Sequence, residues 1–279
     1  MRRRRGPHAQ GRRLPSRGMT DDPSAPSVRG RAALIRTVAP GVHRLAHAYV
    51  NAYLLVERDA VTVVDTALPA TWRHVDRALA AIGRSAADVR AVVLTHAHFD
   101  HLGFAKRARE AWGVPLYAHA AEAPIAAHPY SYAHENPRAV YPLRHPRAVP
   151  VLGAMAAAGA FAVPGVRDLL PLQPGEVLDV PGSPRVVFSP GHTFGHCALH
   201  LPDRDALLTG DALVTLDPYT GIRGPRIVAG AATADSAQNL DSLGALAATG
   251  ARVVLPGHGE PWKQGVASAV AEARRVGAH

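Results

Sequence analysis

The chain has 279 residues, 47% of them hydrophobic, enough to bury the core of one sizeable domain. Its formal charge of +9 is concentrated: residues 1–18 hold seven arginines and no acid, and the rest carries only +2, so a basic nucleic-acid groove is not implied for the body of the chain. One cysteine excludes an intramolecular disulfide framework, and no run of about 18 apolar residues is present to cross a membrane.

Residues 1–32 are rich in Arg, Pro, Ser and Gly and read as a disordered tail. No apolar stretch comes after the arginines, which disfavours a secretory or twin-arginine signal. The head reads better as an extension ahead of a start at Met19 or as a disordered tail than as an arm for nucleic acid or an anionic membrane. From residue 33 onward one domain is expected. Strands are predicted at 34–38, 50–57 and 60–65, the last two joined by a tight turn at Arg58-Asp59. Trp72, Val75, Leu79 and Ile82 share one face of a predicted helix over 70–82. A strand at 91–95 leads into a histidine-rich loop, then a helix at 102–112 and a strand at 115–118. Residues 120–175 read as an insert carrying His128, Tyr130, Tyr132, His134, Tyr141 and a small-residue helix near 151–160. Its aromatics suit a lid over a cleft, a small core of their own, or a dimer interface. The second half is read as a strand at 185–189, a hairpin at 197–209, a loop at 213–232, a helix at 234–248, a strand at 252–255 and a helix at 264–276.

The chemistry is concentrated at strand ends. Thr95-His96-Ala97-His98-Phe99-Asp100-His101 puts three imidazoles and a carboxylate directly after the apolar run Ala91-Val92-Val93-Leu94. Such a cluster is costly to bury unless something pairs with it, and a divalent cation is the natural partner. His96 and His98 alternate as on an extended chain. Asp100 and His101 fall on the first turn of the next helix and point elsewhere, toward a second ion. Three further candidates come just past apolar strands: His192 in Pro190-Gly191-His192, Asp211 in Gly210-Asp211, and His258 in Pro256-Gly257-His258. Loops at strand ends are where a rigid scaffold carries its sites. Two ions, each with three ligands of its own and one shared carboxylate, use all seven residues. His196 repeats the look of a ligand but has no place among the seven and is read as structural. The other histidines, and Cys197 as a small buried hydrophobe, are not assigned to the metal. Imidazole and carboxylate ligands without a thiolate suit zinc first, with iron and manganese as alternatives.

At these residues the chain resembles the metallo-β-lactamase fold superfamily, over roughly residues 33–275. The likeness rests on the H-x-H-x-D-H motif at His96–His101, on His192, on Gly210-Asp211 and on Gly257-His258 in that order, with Asp65 in Val63-Val64-Asp65-Thr66 fitting the family's first motif. The resemblance implies an α/β fold, a four-layer αββα sandwich of two mixed β-sheets flanked by helices, with the site in the cleft at one edge. It implies that Asp65 orients the metal loop without touching the ion.

The expected activity is that of a dinuclear metal-dependent hydrolase. A metal-bridging hydroxide, available at neutral pH because cations acidify water, would attack a small ester, thioester or lactone, or a β-lactam. Asp100 would orient the nucleophile or carry a proton. Tyr219, in the loop after Asp211 with Asp217 and Arg223, would donate to a developing oxyanion. The bridging Asp leans toward thioesters and lactones. The rival readings are an iron oxidoreductase of the same fold and a phosphodiesterase or nuclease. The expected partner is a small-molecule substrate, with no membrane, no nucleic acid and a homodimer as an option. The cytoplasm is the default location.

Overall fold

A computed structural model of the protein describes residues 34–279; the expected tail over residues 1–32 lies outside the described residues. The first half builds a seven-stranded sheet in sequence order, β1 (Leu34–Ala39), β2 (Val42–His47), β3 (Val50–Glu57), β4 (Ala60–Val64), β5 (Val89–Val93), β6 (Leu116–His119) and β7 (Leu170–Leu172). β1 to β4 form an antiparallel meander, and β4 to β7 run parallel, so the sheet is mixed. Parallel pairing needs crossovers, and helices supply them: α1 (Trp72–Ala81) between β4 and β5, then α2 (Phe99–Leu102) and α3 (Ala105–Trp112) between β5 and β6. Between β6 and β7 lie α4 (Ala123–Ala127), α5 (Tyr141–Arg144) and α6 (Val149–Ala157).

The second half builds a four-stranded sheet from β8 (Arg185–Phe188), β9 (Cys197–Leu201), β10 (Ala206–Gly210) and, after a two-stranded ribbon of β11 (Val214–Leu216) and β12 (Arg223–Arg226), β13 (Val253–Pro256), in the order β13-β10-β9-β8. The helices α7 (Ser236–Ala247) and α8 (Val266–Val276) complete it. Asp235 caps α7, its side chain accepting from the Gln238 amide at 2.8 Å.

The alternation of each strand decides the layering. Tyr53, Leu55, Val64 and Val93 of the first sheet meet Val186, Leu199, Leu208 and Leu255 of the second in the central core. The opposite faces are covered by helices. Leu54, Val63 and Val92 pack with Leu79 of α1, Ala108 of α3 and Met155 of α6. Leu207 and Val254 pack with Leu243 of α7 and Val270 of α8. This is the expected αββα sandwich.

Four strands differ from the sequence reading. β2 is not predicted by pattern, because its buried positions do not alternate strictly. β7 contains Pro171 and joins the first sheet at its edge, where a missing amide is tolerated. The expected insert over 120–175 therefore returns to the sandwich before it ends. β11 and β12 fall inside what reads as a loop at 213–232. The helix expected at 102–112 breaks in two, because a Cβ at Gly103 would strike the backbone of Ala67 and Leu68 and the chain turns there around the β4 exit.

Candidate metal centre

The parallel neighbours β4 and β5 end side by side, with Val64 opposite Val93. One residue on, Asp65 takes a left-handed backbone (φ 56°) that costs a non-glycine residue energy. Its side chain uses that turn. Oδ1 accepts from the Thr95 amide at 2.8 Å, and Oδ2 accepts from Thr95 Oγ1 at 2.8 Å and faces His101 Nδ1 at 3.0 Å. Asp65 thus fixes the loop that carries the cluster. With Nδ1 of His101 donating to Asp65, its Nε2 keeps a free lone pair. His96 Nδ1 lies 3.0 Å from Thr95 Oγ1, which donates its own proton to Asp65; the His96 Nε2 is turned inward in the same way.

The second sheet delivers the remaining side chains. His258 follows β13, and its Nδ1 donates to the Tyr49 carbonyl at 2.8 Å. The turn before it is held by Asn51, whose side-chain amide donates to Pro256 and Gly259 carbonyls at 2.9 and 2.8 Å, and by the Tyr53 hydroxyl on the Pro256 carbonyl at 2.7 Å. Arg44, buried in β2, donates to the Gly259 carbonyl and pairs with Glu260 at 2.8 Å. Position 257 has to be glycine: a Cβ there would run into Asp211 Oδ1 and into His101 Cε1. Asp211 follows β10, and its own amide donates to His196 Nε2 at 3.1 Å, with the Ala212 amide at 3.3 Å on the same nitrogen. His196 Nδ1 faces Ser189 Oγ at 2.9 Å. Both nitrogens of His196 are therefore occupied, and it braces the Asp211 turn; from the sequence alone it is read only as structural.

The seven singled-out side chains meet in two groups. His96, His98 and His192 form one, and Asp100, His101, Asp211 and His258 form the other; within each, potential ligand atoms lie within 4.8 Å of one another, and all seven residues are buried. His98 Nδ1 and His192 Nε2 are 3.0 Å apart. Asp211 faces both groups, with His258 Nε2 at 3.1 Å, His101 Nε2 at 3.4 Å and His192 Nε2 at 3.7 Å. Asp100 Oδ2 also lies 3.1 Å from His258 Nε2.

The electrostatics differ between the groups. Burial first, then mutual repulsion, holds His96 and His98 well below the ordinary imidazole range, and burial takes His192 down to about 4. These three are neutral, with lone pairs to give. In the other group burial also opposes charge, but the Asp211 and Asp100 carboxylates overcome it and push His258 up to about 10, while Asp211 and Asp65 raise His101. That half of the site calls for positive charge. Meanwhile His96 Nε2, His98 Nε2, His101 Nε2, His258 Nε2 and Asp211 Oδ1 are buried without a hydrogen-bond partner. Orphaned donors and acceptors are rare in protein interiors. Imidazole nitrogens and carboxylate oxygens that no protein group satisfies fit divalent cations.

One residue that organises the centre has no counterpart in the sequence reading. Glu122, after β6, is fully buried. Its carboxylate accepts from the Ala97 amide at 2.8 Å, Thr193 Oγ1 at 2.6 Å and the Gly195 amide at 2.9 Å. It joins the loop of His96 and His98 to the loop of His192. Its only signal in the sequence is a lone acid in the small-residue run Ala120-Ala121-Glu122-Ala123. Tyr132, in sequence one aromatic among several in the insert, lies with its ring against His98, centroids 3.8 Å apart. In the 213–232 segment, Tyr219 borders the cleft beside the cluster. Asp217 does not: it is buried and accepts from the Tyr219 amide and Thr220 Oγ1. Arg223 is exposed. Cys197 is free and buried, its thiol pushed up to about 12 by burial. Among the described residues no helix is long and apolar enough to cross a membrane.

Known proteins are similar to this chain in sequence and fold. The family model described as metallo-beta-lactamase superfamily matches residues 47–258. Probable metallo-hydrolase YflN of Bacillus subtilis (strain 168) is 26% identical over 268 residues, covering 86% of this chain and 92% of its own. The metallo-beta-lactamase family protein TTHA1429 of Thermus thermophilus superposes with a TM-score of 0.60 at 29% identity, covering 85% of this chain and 79% of that one. TTHA1623, solved in a di-iron-bound form, does so with a TM-score of 0.54 at 25% identity over 77% of this chain and 90% of its own. With its sandwich, its strand-end histidines and a family match spanning most of its length, the chain belongs to the metallo-beta-lactamase superfamily.

Proposed function

We propose that the protein is a dinuclear metal-dependent hydrolase of a small ester, thioester or lactone. The observation that carries this reading is the set of buried, unpartnered ligand atoms in two adjacent groups, with Asp211 of one 3.7 Å from His192 of the other. His96, His98 and His192 would hold one cation, Asp100, His101 and His258 the other, with Asp211 between them. Two cations held there would supply a hydroxide nucleophile at neutral pH and a Lewis acid for the substrate carbonyl. Asp100 borders the cleft and is placed to accept a proton from water there. The Tyr219 hydroxyl borders the same cleft, and burial together with the Asp100 carboxylate pushes it up to about 12. It stays protonated at neutral pH and can donate to a developing oxyanion.

Zinc is the leading metal. The same nitrogen and oxygen set accepts iron, and the di-iron form of TTHA1623 keeps an iron oxidoreductase as the second reading. Elemental mass spectrometry of purified protein decides between them. About two zinc ions per chain, with turnover of an ester, thioester and lactone panel, support the hydrolase. Iron with redox-active visible absorption and no turnover of the panel overturns it.

A further inference from the structure

The cleft beside the metal centre is narrow, and beyond the ligands its described lining is uncharged. Its walls beyond the ligands are Phe99, Tyr132, Met155, Pro218, Tyr219, Val228 and Ala232, and among the described residues no lysine or arginine lines it. The cavity left between these walls and the cluster is about 10 Å³, room for one water. Ligand pockets for larger molecules start at about 300 Å³. A substrate group that enters over His98 meets these aromatic and aliphatic walls, which favour a short, apolar group.

Tyr132 sets that limit. One face of its ring lies on His98, centroids 3.8 Å apart and 33° between planes. The other face is covered by Arg138, whose Cζ stands 4.1 Å from the ring centroid. Arg138 is itself tied down, Nε donating to the Ala231 carbonyl at 3.2 Å, next to the cleft wall. A ring clamped between an imidazole and a guanidinium is a fixed wall rather than a swinging lid, held there by the cation–π contact.

We propose that Tyr132 is the specificity-determining residue of the site and restricts it to esters or thioesters of short, uncharged acyl groups, excluding long acyl chains and phosphodiesters. This inference rests on the hydrolase reading. Hydrophobic pockets discriminate one methylene by about tenfold or more, so the acyl-length profile is a sensitive measure of wall position.

The test compares p-nitrophenyl acetate, p-nitrophenyl octanoate and bis(p-nitrophenyl) phosphate on metal-replete protein, with metal content measured for every variant. Acetate is expected to exceed octanoate in kcat/KM by about tenfold or more, and Tyr132→Ala to shift that ratio toward octanoate by a similar factor. Tyr132→Phe should leave the ratio unchanged, because the ring and not the hydroxyl is the wall. Arg138→Ala, which touches neither the cleft nor the ligands, should give an intermediate shift, and it decides the matter where Tyr132→Ala does not fold. A readout without turnover is the affinity of the uncharged octanamide relative to acetamide by titration calorimetry, which should rise in Tyr132→Ala. A folded, metal-replete variant with an unchanged ratio overturns the role of Tyr132 and leaves the hydrolase reading standing. Wild-type preference for octanoate or the phosphodiester does the same. Metal-replete wild type that hydrolyses none of the three overturns the hydrolase reading and this inference with it.

Discussion

Replacing Glu122 separates the contribution of the scaffold from that of the ligands. Glu122 touches no other member of the cluster, yet its carboxylate accepts three hydrogen bonds, from the Ala97 amide, Thr193 Oγ1 and the Gly195 amide. Ala97 lies between His96 and His98, and Thr193 follows His192, so a single carboxylate spaces all three residues of the histidine group. In Glu122→Gln the amide NH2 must face at least one N–H or O–H that now lacks an acceptor. Leaving one buried donor unsatisfied costs about 1–3 kcal/mol, or a fall in Tm of roughly 4–8 °C near the middle of that range. Burial raises the Glu122 carboxyl above its ordinary range, so loss of its charge recovers part of that cost. Glu122→Ala strands all three donors and should fall further, by about 2–9 kcal/mol if two or three penalties apply in full. Metal affinity should fall by about 10–100-fold, the usual effect of losing a partner that orients ligands. The assays are thermal unfolding of the chelator-treated protein and competition with a chromophoric chelator. Unchanged metal affinity in a folded Glu122→Gln protein would refute the reasoning, because the two loops would then hold their spacing without the carboxylate.

Asp65→Asn removes the acceptor that fixes the His101 tautomer, and metal affinity should drop by about 10–100-fold with the fold intact; equal affinity by the same competition assay counts against that role. Asp211→Ala and His98→Ala should each abolish turnover while far-UV circular dichroism stays native, and either variant at full activity sinks the ligand assignment. Chelation should lower Tm, since a cation present at a hundredfold excess over its Kd stabilises by about 2.7 kcal/mol, roughly 5–10 °C here; the loss should reverse on adding the metal back. His47 lies outside the centre, its Nδ1 2.9 Å from Thr71 Oγ1, and burial, with the nearby charges of His74 and Arg73, lowers it from 6.5 to about 4. A histidine whose folded pKa is depressed contributes stability that is complete above 6.5 and is lost as pH falls toward about 4. Between those values the Tm of His47→Gln should depend on pH less steeply than that of the wild type, and matching slopes would remove His47 as the cause.

The parts of this protein that can be read from the sequence are those whose physics is local. An apolar strand followed within one or two residues by His, Asp or Gly-His shows both the strand and the side chain it presents, and His96, His98, Asp100, His101, His192, Asp211 and His258 all stand out in this way. The two-sheet sandwich follows from the same spacing of apolar runs together with the family resemblance. The features that no sequence pattern shows depend on partners far along the chain. Glu122 meets Thr193 across 71 residues and Gly195 across 73, and Arg44 meets Gly259 across 215. β2, β7 and the β11–β12 ribbon escape the pattern because pairing with neighbours overrides weak or broken alternation. Tyr132 looks like any other aromatic in the stretch 120–175; only the folded chain lays it on His98. Residue types at strand ends declare what a site can bind. Which side chains space, orient and wall that site is decided by packing between segments that no local pattern connects.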